Sequence, residues 1–213
     1  SLPAQGYMLT LASNGITIEG DDDGLFYGLA TLRQILTEYG VTPPQVTIRD
    51  WPNFTQRGVM LDISRDRVPT LPALFSLIDD LAALKINQFQ LYTEHTFAFP
   101  RHETVWRLAS PITPEETLLL DAYCRERHIQ LVPNLNSLGH MERWLKHAPY
   151  RHLAETPDGF ETAWGERRSA STLNPLNPDS LTFITDLYDA FLPHFTSALF
   201  NVGCDEPWEL GQG

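Results

Sequence analysis

Apolar and polar positions alternate weakly over Tyr7-Met8-Leu9-Thr10-Leu11-Ala12, break at Ser13-Asn14-Gly15 and resume over Ile16-Thr17-Ile18-Glu19. A two-residue period interrupted by a turn signal predicts a β-hairpin. The period then lengthens. Leu25, Leu29, Leu32 and Leu36, widened by Phe26 and Ile35, recur at helical spacing behind Asp21-Asp22-Asp23 and stop at Gly40. That is one apolar helix face with acids at its positive end. Pro43-Pro44 breaks the chain, and Val46-Thr47-Ile48 resumes an extended pattern. The opening predicts a small β-β-α-β domain over residues 1–52, with Asp50-Trp51-Pro52-Asn53 as the junction to a second domain over 53–213.

From residue 57 the rhythm changes. Val59-Met60-Leu61-Asp62-Ile63 is a short, nearly continuous apolar run, which predicts a strand covered on both faces. Leu71, Leu74, Ile78 and Leu81 then repeat at helical spacing behind Thr70. A second strand is expected around Gln88–Tyr92. Thr113-Pro114-Glu115-Glu116 carries a capping box with proline at the first helical position. Ile129–Val132 predicts a third strand, Asn177-Pro178-Asp179 starts a third helix, and Ala198–Val202 predicts a fourth strand. Strand–helix alternation of this kind argues for a parallel sheet with helical crossovers, an α/β fold. The connections over 94–112 and 135–176 are long, and both follow the carboxyl ends of strands, where α/β enzymes place their sites.

Composition narrows the function. The chain has 213 residues, 42% of them hydrophobic and 20% charged, which is ordinary for a globular protein. Fifteen basic against 27 acidic side chains give a net charge of −12. A surface that negative repels phosphate backbones and anionic lipid, so neither nucleic acid nor a membrane is expected as a partner. No apolar run reaches the roughly 18 residues of a membrane span. The first residues lack a signal-peptide pattern, which slightly favours a cytoplasmic location and otherwise leaves it unknown. Cys124 and Cys204 do not make a disulfide framework.

Four places carry candidate chemistry. The strongest is Gly203-Cys204-Asp205-Glu206-Pro207-Trp208, where two adjacent acids close an apolar strand. Acids sharing a pocket repel, so one holds a proton for a leaving group while the other stays charged; the plain alternative is a solvated loop or a helix cap. Asp62 and Arg65 lie where the first parallel strand ends. Arg65 can fork onto sugar hydroxyls or simply pair with Asp62 or Asp66. His140, in Asn134-Leu135-Asn136-Ser137-Leu138-Gly139-His140, can orient an acid or be a structural histidine. Glu94 and His95, with His102 and Glu103 beyond them, fit no zinc spacing, so no metal is expected. Trp106, Trp144 and Trp208 can stack on a sugar face or simply pack. No nucleophile elbow, P-loop or dinucleotide fingerprint is present, and no cofactor is expected.

Read in order, Arg57-Gly58-Val59-Met60-Leu61-Asp62-Ile63-Ser64-Arg65, Ala83-Leu84-Lys85-Ile86-Asn87, Gly139-His140 and Gly203-Cys204-Asp205-Glu206 resemble the family 20 glycoside hydrolases, the β-N-acetylhexosaminidases. Gly24-Leu25-Phe26-Tyr27-Gly28-Leu29-Ala30-Thr31-Leu32-Arg33-Gln34 resembles their small α+β domain. The resemblance implies a small α+β domain followed by the first half of a (β/α)8 TIM barrel. It also implies substrate-assisted, retaining release of terminal N-acetyl-β-hexosamine, GlcNAc or GalNAc, from a glycan. By that resemblance Asp205 orients the 2-acetamido group, Glu206 is the general acid and then base, His140 stands behind the acid, and Arg65, Glu94, Asn136 and Trp208 contact substrate. A non-catalytic carbohydrate-binding or scaffold protein that keeps the fold is the alternative.

The chain also departs from the family pattern. Asn134 and Asn136 stand where the family has two acids before Gly-His, so an Asn136–His140 contact is expected in place of an acid–histidine pair. Glu94-His95-Thr96-Phe97 replaces the family's Asp-Asp-Gln-x-Trp run. A full barrel takes about 250 residues, whereas positions 57–213 hold only four strands. The chain therefore reads as a fragment of low activity, with self-association through its open barrel edges expected.

Overall fold

A computed structural model of the chain describes residues 2–213. Contacts divide it into two compact units: Ser1–Val59 with Pro72–Phe89 and Tyr123–Gln130, and Met60–Leu71 with Gln90–Ala122 and Leu131–Gly213.

In the first unit, β1 (Tyr7–Ala12) is flanked by antiparallel β2 (Gly15–Gly20) and β3 (Val46–Asp50), in the order β2-β1-β3. Tyr7 pairs with Gly20 and Asp50, and Leu9 with Ile18 and Ile48. Tyr7, Leu9 and Leu11 share the buried face. Helix α1 (Asp22–Tyr39) covers it. Asp21 caps its start by accepting from Gly24 N at 2.7 Å, and Gly40, at φ +64°, ends it.

α1 buries only part of the expected stripe: Phe26, Leu32 and Ile35 pack, partly buried, against the cluster of Tyr7, Leu9, Leu11 and Tyr27. Leu25, Leu29 and Leu36 are exposed, and the buried positions are Gly24, Tyr27 and Gly28. The reason is close approach. A Cβ at Gly28 would lie 2.6 Å from Ile18 Cγ2 and 3.2 Å from the Tyr7 ring, and one at Gly24 would strike the Gly6 carbonyl. Two glycines let the helix backbone rest on the sheet, a contact that a count of apolar residues does not register. The same unit ties Arg57 into its loops, Nε donating to Lys85 O at 2.7 Å and its backbone N–H to Asn87 Oδ1 at 2.8 Å, while Lys85 Nζ donates to Tyr7 OH at 2.9 Å.

The second sheet runs β4 (Gly58–Asp62), β5 (Gln88–Tyr92) and β6 (Gln130–Val132), in the order β4-β5-β6. Helix α2 (Leu71–Ala83) connects the first two strands, and the one-turn helix α3 (Glu103–Trp106) and α4 (Pro114–Arg125) lie between β5 and β6. The capping box forms: Thr113 N donates to Glu116 Oε2 at 2.9 Å, and Glu116 N to Thr113 Oγ1 at 3.1 Å. After β6 come one-turn α5 (Glu142–Leu145), the hairpin β7 (Phe160–Glu161) and β8 (Arg167–Arg168), and α6 (Pro178–Phe191), capped by Asn177.

Two strand expectations are corrected. β4 is not covered on both faces: Val59 and Met60, which point to opposite faces, are 36% and 57% exposed. The fourth strand is reduced to a single parallel bridge, Asn134↔Asn201. Asn201 N donates to Pro133 O and Leu135 N to Asn201 O, but the next donors on that edge are diverted. Leu199 N–H goes to Ser197 Oγ and Gly203 N–H to Asn201 Oδ1. Side-chain acceptors here compete with the ladder, and Pro133 has no N–H to offer it, although Ser137 N still donates to Gly203 O at 3.0 Å.

The two long connections are not open loops. Phe97, Phe99, Leu135, Met141, Trp144, Tyr150, Phe183, Leu187 and Phe191 form one buried cluster. Trp144 meets Phe99, Tyr150 and Phe183 edge-on, which is favourable aromatic geometry.

Helix–sheet contact at Gly28 makes a test of sign. Gly28→Ala gains about 1 kcal/mol of helix propensity but overpacks against stiff Ile18, which costs about 1–3 kcal/mol. Urea unfolding is expected to show net destabilisation, while Leu29→Ala on the exposed face stays near neutral. A stabilised Gly28→Ala would refute the close-contact account.

Candidate active site

The strand ends of the second unit bring together chemistry that lies far apart in the chain. Asp62 ends β4 and Arg65 follows it, Tyr92 ends β5 and Glu94 follows it, Asn136 and His140 follow β6, and Asp205 and Glu206 follow the bridge at Asn201. Glu94 is at the centre. Its buried Oε1 accepts from Tyr92 OH at 3.0 Å, lies 3.2 Å from Arg65 Nη2 and 3.7 Å from His140 Nδ1. The other ring nitrogen, His140 Nε2, lies 3.4 Å from Asp205 Oδ2 and 3.3 Å from Glu206 Oε2. A line of groups therefore runs from buried Glu94 through His140 to two acids that are about half exposed, 52% and 54%.

Burial raises the Glu94 carboxyl above its ordinary value, although Tyr92, Arg65 and His140 pull it down. Burial and the neighbouring Glu94 likewise push the Tyr92 phenol up. Tyr92 thus stays a neutral donor, which suits an acidic partner. The Arg65 guanidinium also pairs with Asp62 and covers the Tyr92 ring at 5.1 Å. The Glu94 backbone is fixed too: its N–H donates to Ser64 Oγ at 2.7 Å, and its carbonyl accepts from Trp144 Nε1 at 2.8 Å.

The glycines in the two motifs have steric causes. A Cβ at Gly139 would strike the Asp205 carbonyl, and one at Gly203 would strike Asn136 Oδ1 and sit 2.8 Å from Asn136 Cα. Gly203 has φ +52°, and the neighbouring non-glycine residues His140 and Glu206 are left-handed as well, at +56° and +49°. Left-handed side-chain-bearing residues are uncommon, and strain of this kind gathers at functional sites.

Asp205, Glu206, His140, Arg65 and Glu94 are brought together as the sequence suggested. Arg65 satisfies both readings, pairing with Asp62 and facing the site. The Asn136–His140 contact is not formed: Asn136 Nδ2 donates to Tyr92 OH at 2.9 Å, while Arg65 Nη2 at 3.5 Å and Glu94 Oε1 at 3.7 Å flank Nδ1 of the imidazole. Trp208 stands half-exposed and meets Trp164 edge-on at 5.7 Å. Trp144 is a core residue, and Trp106 binds its indole N–H to Phe99 O. Among the described residues His95 is buried with no partner for Nδ1, and His102 is held between Tyr150 OH at 2.7 Å and Asp186 at 3.0 Å. The sequence reading takes in Tyr92-Thr93-Glu94-His95 but gives Tyr92 no role, and it does not reach Trp164 or Glu209. For Tyr92 a signal existed, since it precedes Glu94 by two on an extended segment and so shares its face.

The model of glycosyl hydrolase family 20, catalytic domain, matches residues 54–211, and that of the same family's domain 2 matches residues 1–51. The chain is 30% identical to a β-hexosaminidase of Porphyromonas gingivalis over 96% of its own length and 29% of that protein's. It is 26% identical to a lacto-N-biosidase of Bifidobacterium bifidum over 95% of its length and 17% of that protein's. Among solved structures, a chitobiase of Flavobacterium johnsoniae superposes with a TM-score of 0.82 at 30% identity, over 96% of this chain and 32% of that one. A β-N-acetylhexosaminidase crystal structure gives 0.81 at 26%, over 97% and 48%. The chain thus spans less than half the length of these relatives.

Burial beside the Arg143 and Lys146 charges lowers the His95 imidazole to about 4. The unfolded chain therefore binds this proton first, and folding stability falls as the pH drops from about 6.5 toward 4. At pH 5 the cost is about 2 kcal/mol. Glu94, shifted upward, acts in the opposite sense, so the informative quantity is a difference. Between pH 7.5 and 5, urea unfolding of the wild type should lose about 2 kcal/mol more than that of His95→Gln. Equal losses would show that His95 carries no such penalty.

Proposed function

The chain belongs to glycosyl hydrolase family 20, and from that premise we propose that the protein carrying it releases terminal N-acetyl-β-hexosamine, GlcNAc or GalNAc, from glycans by substrate-assisted hydrolysis. The observation that carries the reading is the pair of adjacent carboxylates facing one histidine nitrogen, with buried Glu94 behind the other.

Glu206 donates a proton to the glycosidic oxygen while the substrate's acetamido oxygen attacks the anomeric carbon. The leaving group departs and an oxazolinium ion forms. Asp205 stays charged, orients the acetamido N–H and balances the positive charge that develops on it. Glu206, now a carboxylate, takes a proton from the water that opens the ring, and two inversions give net retention. No enzyme nucleophile is needed, consistent with a family exempt from the two-carboxylate scheme. His140 positions Glu206, and Glu94 holds the ring of His140. Arg65, half-exposed and oriented by Asp62 and Glu94, presents its outer donors to ring hydroxyls. Asn136 acts through Tyr92, and Trp208 offers an apolar wall to the sugar.

The test uses the whole protein and an N-acetyl-β-glucosaminyl disaccharide, whose poor leaving group needs acid help. Glu206→Gln should lower kcat by about 10²–10⁴-fold, and the corresponding disaccharide without the acetamido group should not turn over. Comparable turnover without the acetamido group would overturn substrate assistance. A wild-type protein that binds the sugar without hydrolysing it would instead establish the carbohydrate-binding alternative.

A further inference from the structure

Three residues beyond Glu206 lies a second acid with no place in the mechanism above. Glu209 is fully buried. A buried carboxylate is costly unless its charge is met, and four hydrogen-bond donors meet it here. Oε1 accepts from Ser171 N at 2.5 Å and Thr172 N at 2.7 Å, and Oε2 from Ser171 Oγ at 2.8 Å and Thr172 Oγ1 at 2.7 Å. All four come from two residues 37 and 38 positions away in the chain.

What those two residues touch gives the arrangement its meaning. Ser171 O accepts from Met141 N at 2.8 Å, and Leu173 N donates to Leu138 O at 2.9 Å. The 171–173 segment is thus laced to the backbone on both sides of His140. Glu209 fastens the turn bearing Glu206 to that same segment. The turn itself is compact: Trp208 N donates to Glu206 O at 2.8 Å, Leu210 N to Pro207 O at 3.1 Å, and Gln212 N to Glu209 O at 3.0 Å. Glu206 is left-handed within it, a conformation that persists only where the surroundings over-determine it. Gly139 packs against Asp205 from one side, and Glu209 anchors the other.

We propose that Glu209 is a positioning residue: by clamping the acid-bearing turn to the segment that also holds His140, it sets the 3.3 Å approach of Glu206 to His140 Nε2. The catalytic consequence rests on the hydrolase reading above; the clamp does not. Misplacement of a catalytic group by about 1 Å costs about 100-fold in rate. The bonding pattern also specifies the rescue. Glutamine can keep its carbonyl on the two backbone N–H groups and turn its NH₂ toward the two hydroxyl oxygens, which can accept. Alanine loses all four bonds.

The experiment compares Glu209→Ala and Glu209→Gln in the whole protein. In Glu209→Ala, kcat on the disaccharide should fall about 100-fold while KM moves by less than about 5-fold, and the acidic limb of the pH–rate profile should shift. Glu209→Gln should recover to within about 5-fold of the wild type. Equal losses in both variants, or a Glu209→Ala kcat near wild type, would overturn the proposal. Hydrogen exchange gives a readout independent of turnover and of alanine's effect on folding. In the double variant Ser171→Ala/Thr172→Val, which keeps the backbone half of the clamp, amides of 208–212 should exchange about tenfold faster than in wild type. Unchanged exchange there would also overturn it. A wild type without hydrolase activity would defeat the hydrolase reading alone, and the exchange result would then decide the clamp.

Discussion

A carboxylate cannot be taken out of water without partners, and at the end of β5 that requirement organises the surrounding site. Glu94 is buried, so Tyr92 must bring its hydroxyl, Arg65 its guanidinium and His140 its ring. Each partner is then oriented for something else. Arg65 faces outward from Asp62 and Glu94. Asn136 is turned onto the Tyr92 hydroxyl. The far nitrogen of His140 points at Asp205 and Glu206. One desolvated charge thereby converts flexible side chains into a fixed array, the condition for positioning groups against a transition state.

A rigid array needs a rigid support, which comes from segments that contain almost no regular structure. The connections after β5 and β6 are filled with aromatic residues, and Phe97, Phe99, Trp144, Tyr150 and Phe183 pack them into a core. Trp144 belongs to both systems, since its ring is buried among these aromatics while its N–H holds the Glu94 carbonyl. Glu209 repeats the logic of Glu94 with four neutral donors in place of a cation. Glu94 lies against His140, and Glu209 stands three residues beyond Glu206 in the same turn. A polar network satisfied in full fixes geometry more sharply than apolar packing, because every member has a direction as well as a distance.

The legible parts of the fold and the site differ in kind from the illegible ones. The capping box of Thr113 and Glu116, the start at Asn177 and the stop at Gly40 all involve groups a few residues apart, and each formed as read. Asp205, Glu206, Arg65 and His140 were found because motifs at strand ends share one face of an α/β sheet. The stripe of α1 was legible only in part: Phe26, Leu32 and Ile35 pack on the core, but the closest contact is made by two glycines against the sheet, which leaves Leu25, Leu29 and Leu36 outside. The fourth strand shrank to one bridge because Ser197 and Asn201 took two of the donors its ladder needed and Pro133 has no N–H to supply a third.

The sequence by itself determined the order of β1 to β6 with α1, α2, α4 and α6, the family and the adjacency of Asp205 and Glu206, all carried by short-range periodicity, caps and ordered motifs. Only the tertiary structure decided what those acids face. The pairing of Glu94 with His140, the capture of Asn136 by Tyr92 and the clamp of Glu209 on Ser171 and Thr172 depend on distant segments arriving at the same place. Their cause is the cost of leaving a buried polar group unpaired. That cost acts only once the chain has closed around the group, so no local pattern along the chain records which partner will meet it.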